Sequence, residues 1–296
     1  MKKHVLTLAL ALAATGAMAQ ANDTLAKIKA SGTATMGVRD SSGALSYTLG
    51  DGKYAGYHVE ICQRVLADVQ KQLALPKLEV KYLSVTSQNR IPLVQNGTVD
   101  IECGSTTNSV ERQQQVDFSV GIFEVGTRLL TKKTSGVSDF ADLKGKNVVT
   151  TAGTTSERLL KAMNADQQMG MNIISAKDHG ESFLMLESSR AVAFMMDDAL
   201  LYGEMAKAKK PADWAVVGTP QSFEIYGCML RKGDLAFKQV VDRAISSTFS
   251  SGDIHAIYAT WFQQPVPPKG LTLNFPMSAE LQKLIANPTD KAAEQL

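Results

Sequence analysis

From Thr33 onward, short apolar runs alternate with stretches in which apolar residues return every four positions. Thr33 to Val38 reads as a strand that ends at Arg39 and a turn of Asp40, Ser41, Ser42 and Gly43. Tyr57, Ile61, Val65, Val69 and Leu73 mark one face of a helix, with Glu60, Arg64, Asp68 and Lys71 on its wet side and Pro76 beyond its end. A strand over Leu78 to Leu83 leads into the polar run from Ser84 to Arg90. Pro92 has no N–H to donate and so belongs in the first turn of the next helix, which stops at Asn96-Gly97.

The cycle restarts at Gly126. Strands are expected at Thr127 to Lys132 and Lys146 to Thr150, with a short helix and turn from Asp139 to Gly145 between them. Asn172 to Ala176 is a strand leading to Asp178-His179-Gly180, and a helix covers Glu181 to Ser188. Ala191 to Met196 is unbroken apolar, as in a strand buried on both faces, and ends abruptly at Asp197-Asp198. A helix from Leu200 to Lys209, strands at Trp214 to Val217 and Tyr226 to Arg231, and helical pattern from Leu235 to Phe262 complete the series. Alternation of strand and helix predicts an α/β fold with mostly parallel sheets flanked by helices. The last strand and helices return to the first lobe, so two crossings fall near 121–127 and 220–226. The lobes are then 24–121 plus 226–265, and 127–220, and the proline-rich extension 266–296 wraps the surface.

Two stretches carry candidate chemistry. Val99 to Arg112 reads as a strand broken at Gly104, hydroxyls at Ser105, Thr106 and Thr107, and a helix start with Asn108 and Glu111 spaced as a capping box. Thr154 and Glu157 repeat that spacing after Thr150. Helix N-termini combine free N–H groups with the positive dipole end, and so favour anions.

Residues 1–19 have a leader's form: Lys2, Lys3 and His4, an apolar run from Val5 to Ala14, then Ala17 and Ala19. Cleavage after Ala19, or alternatively Ala21, would leave a soluble, exported chain, and the Lys-led leader suggests a bacterial periplasm. The chain has 31 basic and 29 acidic residues, two of the basic ones in the leader, so the remainder is near neutral and does not suggest nucleic acid or an acidic membrane. Cys62, Cys103 and Cys228 allow at most one internal disulfide, with Cys103 or Cys228 the favoured partner in any bridge. None has C-x-x-C spacing.

In open parallel sheets, ligands bind beyond the carboxyl ends of the strands. In the first lobe the residues placed there are Arg39, then Ser87 and Arg90, then Ser105, Thr107 and Arg112; in the second lobe they are Thr155, His179 and Asp197. Three arginines and a histidine against one acid call for a net anionic ligand. Arg112 with two helix N-termini suits one carboxylate. Asp197 suits an ammonium, and Arg39 and Arg90 with Ser87 and His179 remain for a second anion. Two carboxylates and an ammonium describe glutamate or aspartate. No G-x-S-x-G, H-E-x-x-H, Walker A or G-x-G-x-x-G motif is present, and the four histidines are scattered, so neither an enzyme nor a cofactor or metal site is expected.

Gly104-Ser105-Thr106-Thr107-Asn108 with Glu111-Arg112 and Asp117-Phe118-Ser119 resembles the polar amino-acid family of periplasmic solute-binding proteins of ABC transporters. The blocks 86–93, 153–157, 176–180 and 194–199 resemble its glutamate/aspartate-binding branch, and the likeness runs from about Thr24 to the C-terminus. The resemblance implies a two-lobed fold of the type II binding-protein class, monomeric, closing by hinge bending and docking on a permease served by a separate ATPase. It implies Arg112, Thr107 and Thr155 on the α-carboxylate and Asp197 on the ammonium. Arg39, Ser87, Arg90 and His179 would take the side-chain carboxylate, with Ser105 between. An exported dehydratase and a module presenting ligand to a chemoreceptor are the competing classes.

Overall fold

A computed structural model describes residues 23–267, 270 and 272–296. The expected leader lies outside the described residues. In chain order the first strands are β1 Thr33–Val38, β2 Ser41–Ser42, β3 Ser46–Gly50, β4 Lys53–Ala55, β5 Glu79–Ser84, β6 Ile101–Glu102 and β7 Val116–Phe118. Then come β8 Phe123–Lys132, β9 Asn147–Thr151, β10 Asn172–Ala176, β11 Ala193–Asp197, β12 Trp214–Val217, β13 Phe223–Tyr226 and β14 Met229–Arg231.

Two sheets form two lobes. One has the order β5-β1-β6-β14-β7, the other β10-β9-β11-β8-β12. In each, one half is parallel: β1 runs with β5 and β6, and β9 runs with β10 and β11. The other half is antiparallel, because it is built from strands that enter or leave a crossing: β8 opposes β11 and β12, and β14 opposes β6 and β7.

The crossings lie side by side. The start of β8 pairs antiparallel with β13, from Phe123↔Tyr226 to Gly126↔Phe223. The strand expected over Tyr226 to Arg231 is therefore two strands, broken at Gly227-Cys228 where the chain passes from the crossing pair into the first sheet. The late helical stretch is likewise two helices, Leu235–Ser250 and Asp253–Phe262, parted at Gly252 in the left-handed conformation. A small hairpin, β3–β4, comes after the first turn; its Asp51-Gly52 dipeptide is a hairpin signal.

Four of the five expected residues of the helical face, Tyr57, Ile61, Val65 and Val69, are buried along the helix Tyr57–Gln72, while Leu73 caps its end and is half-buried. Tyr57 interlocks with Phe123, Tyr258 and Phe262, ring centroids 4.6–6.2 Å apart. Such pairs add about 0.5–1.5 kcal/mol each beyond their burial, which anchors the first crossing to the first lobe. Cys103 and Cys228 form a disulfide that ties the end of β6 to the second crossing, and Cys62 is a buried free thiol. The C-terminal extension docks beside these elements: the Thr289 carbonyl accepts from the Gly121 N–H, and the Asn108 side chain donates to the Asp290 carbonyl.

Candidate functional site

The loop after β6 is built as its sequence suggests, with the register of its cap moved by one. Ser109, not Asn108, caps the short helix Val110–Gln113, its hydroxyl accepting from the Arg112 N–H. Asn108 is diverted by the C-terminal extension, whose carbonyls at Asp290 and Lys291 take its amide. The helix thus starts one residue later and turns Arg112 inward, where its guanidinium donates to the Thr107 carbonyl at 3.0 Å and to the Gly153 carbonyl at 3.4 Å. Gly153 belongs to the opposite lobe.

Arg39, Arg90 and Arg112 are 2%, 1% and 6% exposed, so the three guanidiniums face a shared interior rather than bulk water. Arg39 donates to the Ser105 hydroxyl at 3.3 Å and to the Ser87 hydroxyl at 3.1 Å. Arg90 donates one N–H to the Ser105 carbonyl at 2.8 Å, and its Nε has no protein partner. Burial, and then the positive charge of Arg112, push the Arg90 guanidinium well below its ordinary pKa; Arg39 adds to the same effect. Such a group is poised to gain from an anion.

On the other side, Thr154 caps the helix Thr155–Asp166 by accepting from the Glu157 N–H. Glu157 returns its carboxylate to the Gly153 N–H rather than to Thr154, so the second capping box closes one residue earlier than its spacing implies. Gly153 has φ +78°, and a Cβ there would lie 2.9–3.0 Å from Gln88 of the facing lobe, so both conformation and proximity require glycine.

His179 opens the helix His179–Glu187 and reaches across the cleft, its Nε2 3.4 Å from an Arg39 amino group. A guanidinium only donates, so Nε2 accepts and the proton sits on Nδ1, which faces the Thr151 hydroxyl at 2.8 Å. Burial, and then Arg39, drive the imidazole well below the ordinary histidine range, so it is neutral at pH 7. It therefore adds no positive charge, contrary to the sequence-based count, and it orients Arg39.

Asp197 ends β11, as expected of the apolar run, and is 4% exposed. Thr127 and Ser156 donate to its Oδ1 at 2.9 and 3.3 Å, and the Tyr226 hydroxyl donates to its Oδ2. Burial, and then the charge of Glu224, push its carboxyl up to about 7.

Two acids that the strand-end argument passed over also line the site. Glu102 is fully buried and accepts from the Thr106 hydroxyl at 2.7 Å. Glu224, on β13, accepts from Thr107 and Thr155 together. Three arginines thus face three carboxylates, and the expected surplus of positive charge over one acid is corrected to a local balance. Both acids carry a legible signal, a charge flanked by apolar residues within a strand: Ile101 and Cys103 for one, Phe223 and Ile225 for the other.

All nine expected residues, Arg39, Ser87, Arg90, Ser105, Thr107, Arg112, Thr155, His179 and Asp197, meet where the two lobes face each other. The gap is bridged by Arg39 with His179, by Arg112 with Gly153, by Ser41 with the Gly180 N–H, and by the ion pair of Glu111 and Arg158. Among the described residues, no group of three or more histidine, cysteine or acidic side chains is arranged to hold a metal ion.

A family model described as bacterial extracellular solute-binding proteins, family 3, matches residues 34–264. An L-glutamate/L-aspartate-binding protein of Pseudomonas aeruginosa is 74% identical over 275 residues, covering 92% of this chain and 91% of that one. A glutamate/aspartate import solute-binding protein of Escherichia coli is 54% identical over 293 residues, covering 97% of each. Among solved structures, a mutant of ArgBP from T. maritima superposes with a TM-score of 0.72 at 23% identity, over 81% of this chain and 99% of that one, a likeness of fold.

Proposed function

The chain belongs to the bacterial extracellular solute-binding proteins, family 3, and from that premise we propose that it captures one acidic amino acid, glutamate or aspartate, and delivers it to the membrane permease of an ABC importer. In this reading the leader takes the chain to the periplasm, and the lobes 24–121 plus 226–265, and 127–220, close about the paired crossings. Closure by hinge bending is a population shift, driven by ligand contacts that only the closed state completes.

Arg112 and the helix start at Thr155, with Thr107, take the α-carboxylate. Asp197 takes the ammonium. Arg39 and Arg90 take the side-chain carboxylate, with Ser87 and Ser105 beside it and His179 holding Arg39 in place. One observation carries the assignment of an acidic side chain: the buried Arg90 guanidinium, whose Nε is left without a protein acceptor. A carboxylate satisfies it, whereas the amide of glutamine leaves its charge uncompensated at a cost of a few kcal/mol. Asp197, raised to about 7, is partly protonated before binding, and the ligand's ammonium pairs with its ionised form.

Calorimetric titration of the purified protein with all the common amino acids tests this. Glutamate and aspartate should bind at least about 100-fold more tightly than glutamine or asparagine, a difference of roughly 2.7 kcal/mol. Equal affinity for glutamate and glutamine would end the proposal.

A further inference from the structure

Glu224 has no place among the ligand contacts assigned so far, yet it sits in the middle of them. Its carboxylate comes from β13, in the second crossing, and is 5% exposed. Oε2 accepts from the Thr107 hydroxyl of one lobe and, at 2.7 Å, from the Thr155 hydroxyl of the other; Oε1 accepts from Ser222 at 3.1 Å. Its negative charge is also the largest favourable influence on the Arg112 guanidinium, opposing the effect of burial. Thr107, Thr155 and Arg112 are the three groups that form the proposed seat of the ligand's α-carboxylate.

A hydroxyl has one proton to donate. Both hydroxyls of that seat have given theirs to Glu224, so an incoming carboxylate finds neither free. We propose that Glu224 is a tethered competitor for the α-carboxylate: it links the two lobes through the Thr107 and Thr155 hydroxyls, and the ligand must displace it from them to bind. The exchange replaces one carboxylate by another at the two threonine hydroxyls, so those hydrogen bonds contribute little net affinity, and what the α-carboxylate gains comes from Arg112. Discrimination then falls on the ammonium at Asp197 and on the second carboxylate at Arg39 and Arg90. This rests on the reading of Thr107, Thr155 and Arg112 as the α-carboxylate seat.

Glu224→Gln and Glu224→Ala test the idea in the intact protein. Gln keeps the shape but makes neutral hydrogen bonds, about half as strong as those to a carboxylate; Ala removes the group. Without amino acid, small-angle X-ray scattering should show wild type compact and both variants expanded, and added glutamate should compact all three. By calorimetry both variants should bind glutamate roughly tenfold more tightly than wild type, because no internal carboxylate competes. If thermal unfolding shows that the Ala variant does not fold, the Gln variant decides. Weaker binding by a folded variant overturns the proposal and makes Glu224 a ligand contact, on the ammonium beside Asp197. Identical ligand-free scattering from wild type and variant overturns it equally. Should no protein of the set bind glutamate or aspartate, the ligand assignment fails, while the scattering comparison still decides whether Glu224 holds the two lobes together.

Discussion

Arginine is almost never fully buried unless it is paired, yet Arg39 and Arg90 are among the largest fully buried side chains of the described residues. Their duties are unequal. Arg112 spans the lobes through Gly153, so Arg112→Ala should abolish calorimetric binding of every amino acid. Arg90→Ala removes the unmatched donor together with the bond to the Ser105 carbonyl, but no contact across the lobes, so it should cost glutamate roughly 100-fold while leaving glutamine nearly unchanged. Equal losses for both ligands in both variants would contradict this division. Asp197 makes a second residue-level statement. Its carboxyl is raised to about 7, so between about pH 4 and 7 the folded chain holds a proton that the unfolded chain has released. Its contribution to stability therefore falls as pH rises through that window. A bound ammonium demands the ionised form, so binding at about pH 6 should release up to one proton, and affinity should weaken as pH drops below about 7. Titrations at that pH in buffers of different ionisation heat measure the proton directly, and a heat independent of buffer would refute it.

At the scale of elements, sequence served best where one local rule acts alone. The period-four stripe of Tyr57, Ile61, Val65 and Val69, and the apolar run ending at Asp197, needed no knowledge of the rest of the chain. Partners distant in sequence account for the differences between expectation and structure. Asn108 lost its capping role because a carbonyl 182 residues later, at Asp290, takes its side chain. Tyr226 to Arg231 is not one strand because Cys228 is drawn to Cys103, 125 residues away, and the chain changes sheets there. Glu224 stayed hidden because strand-end reasoning inspects only the residues just past a strand, and it lies within one. The disulfide joins the loop that carries Ser105 and Thr107 to the crossing that carries Glu224, so its loss acts on stability and site together. Cys228→Ser should lower the denaturant midpoint by the equivalent of about 2–5 kcal/mol. It should also weaken glutamate binding, which a bridge of purely structural value would leave alone once the protein is folded.

For the molecule as a whole, closure is limited by how closely two backbones can meet. Gly43, in the turn between β2 and β3, has φ +55°, and Gly203 lies on the helix Asp198–Lys207 of the other lobe. A Cβ placed on Gly203 would stand 2.4 Å from the Gly43 Cα, a backbone atom that cannot swing aside as a side chain does. Neither residue is among those assigned to the ligand, yet together they fix how far the lobes can approach. Gly203→Ala should therefore hold the cleft ajar. Alanine favours a helix over glycine by about 1 kcal/mol, which offsets part of the cross-lobe bonding that an open cleft gives up, so thermal stability of the ligand-free variant should change little. Glutamate affinity should meanwhile fall by about tenfold or more, because Arg39 no longer reaches His179 and Arg112 no longer reaches Gly153. Hinge closure predicts this contrast between an intact fold and a weaker complex, and a site confined to one lobe does not. Scattering in saturating glutamate should show the variant wider than wild type. If Gly203→Ala binds with wild-type affinity, the contact of the two glycines does not set the closed state, and the lobes meet elsewhere when ligand is held.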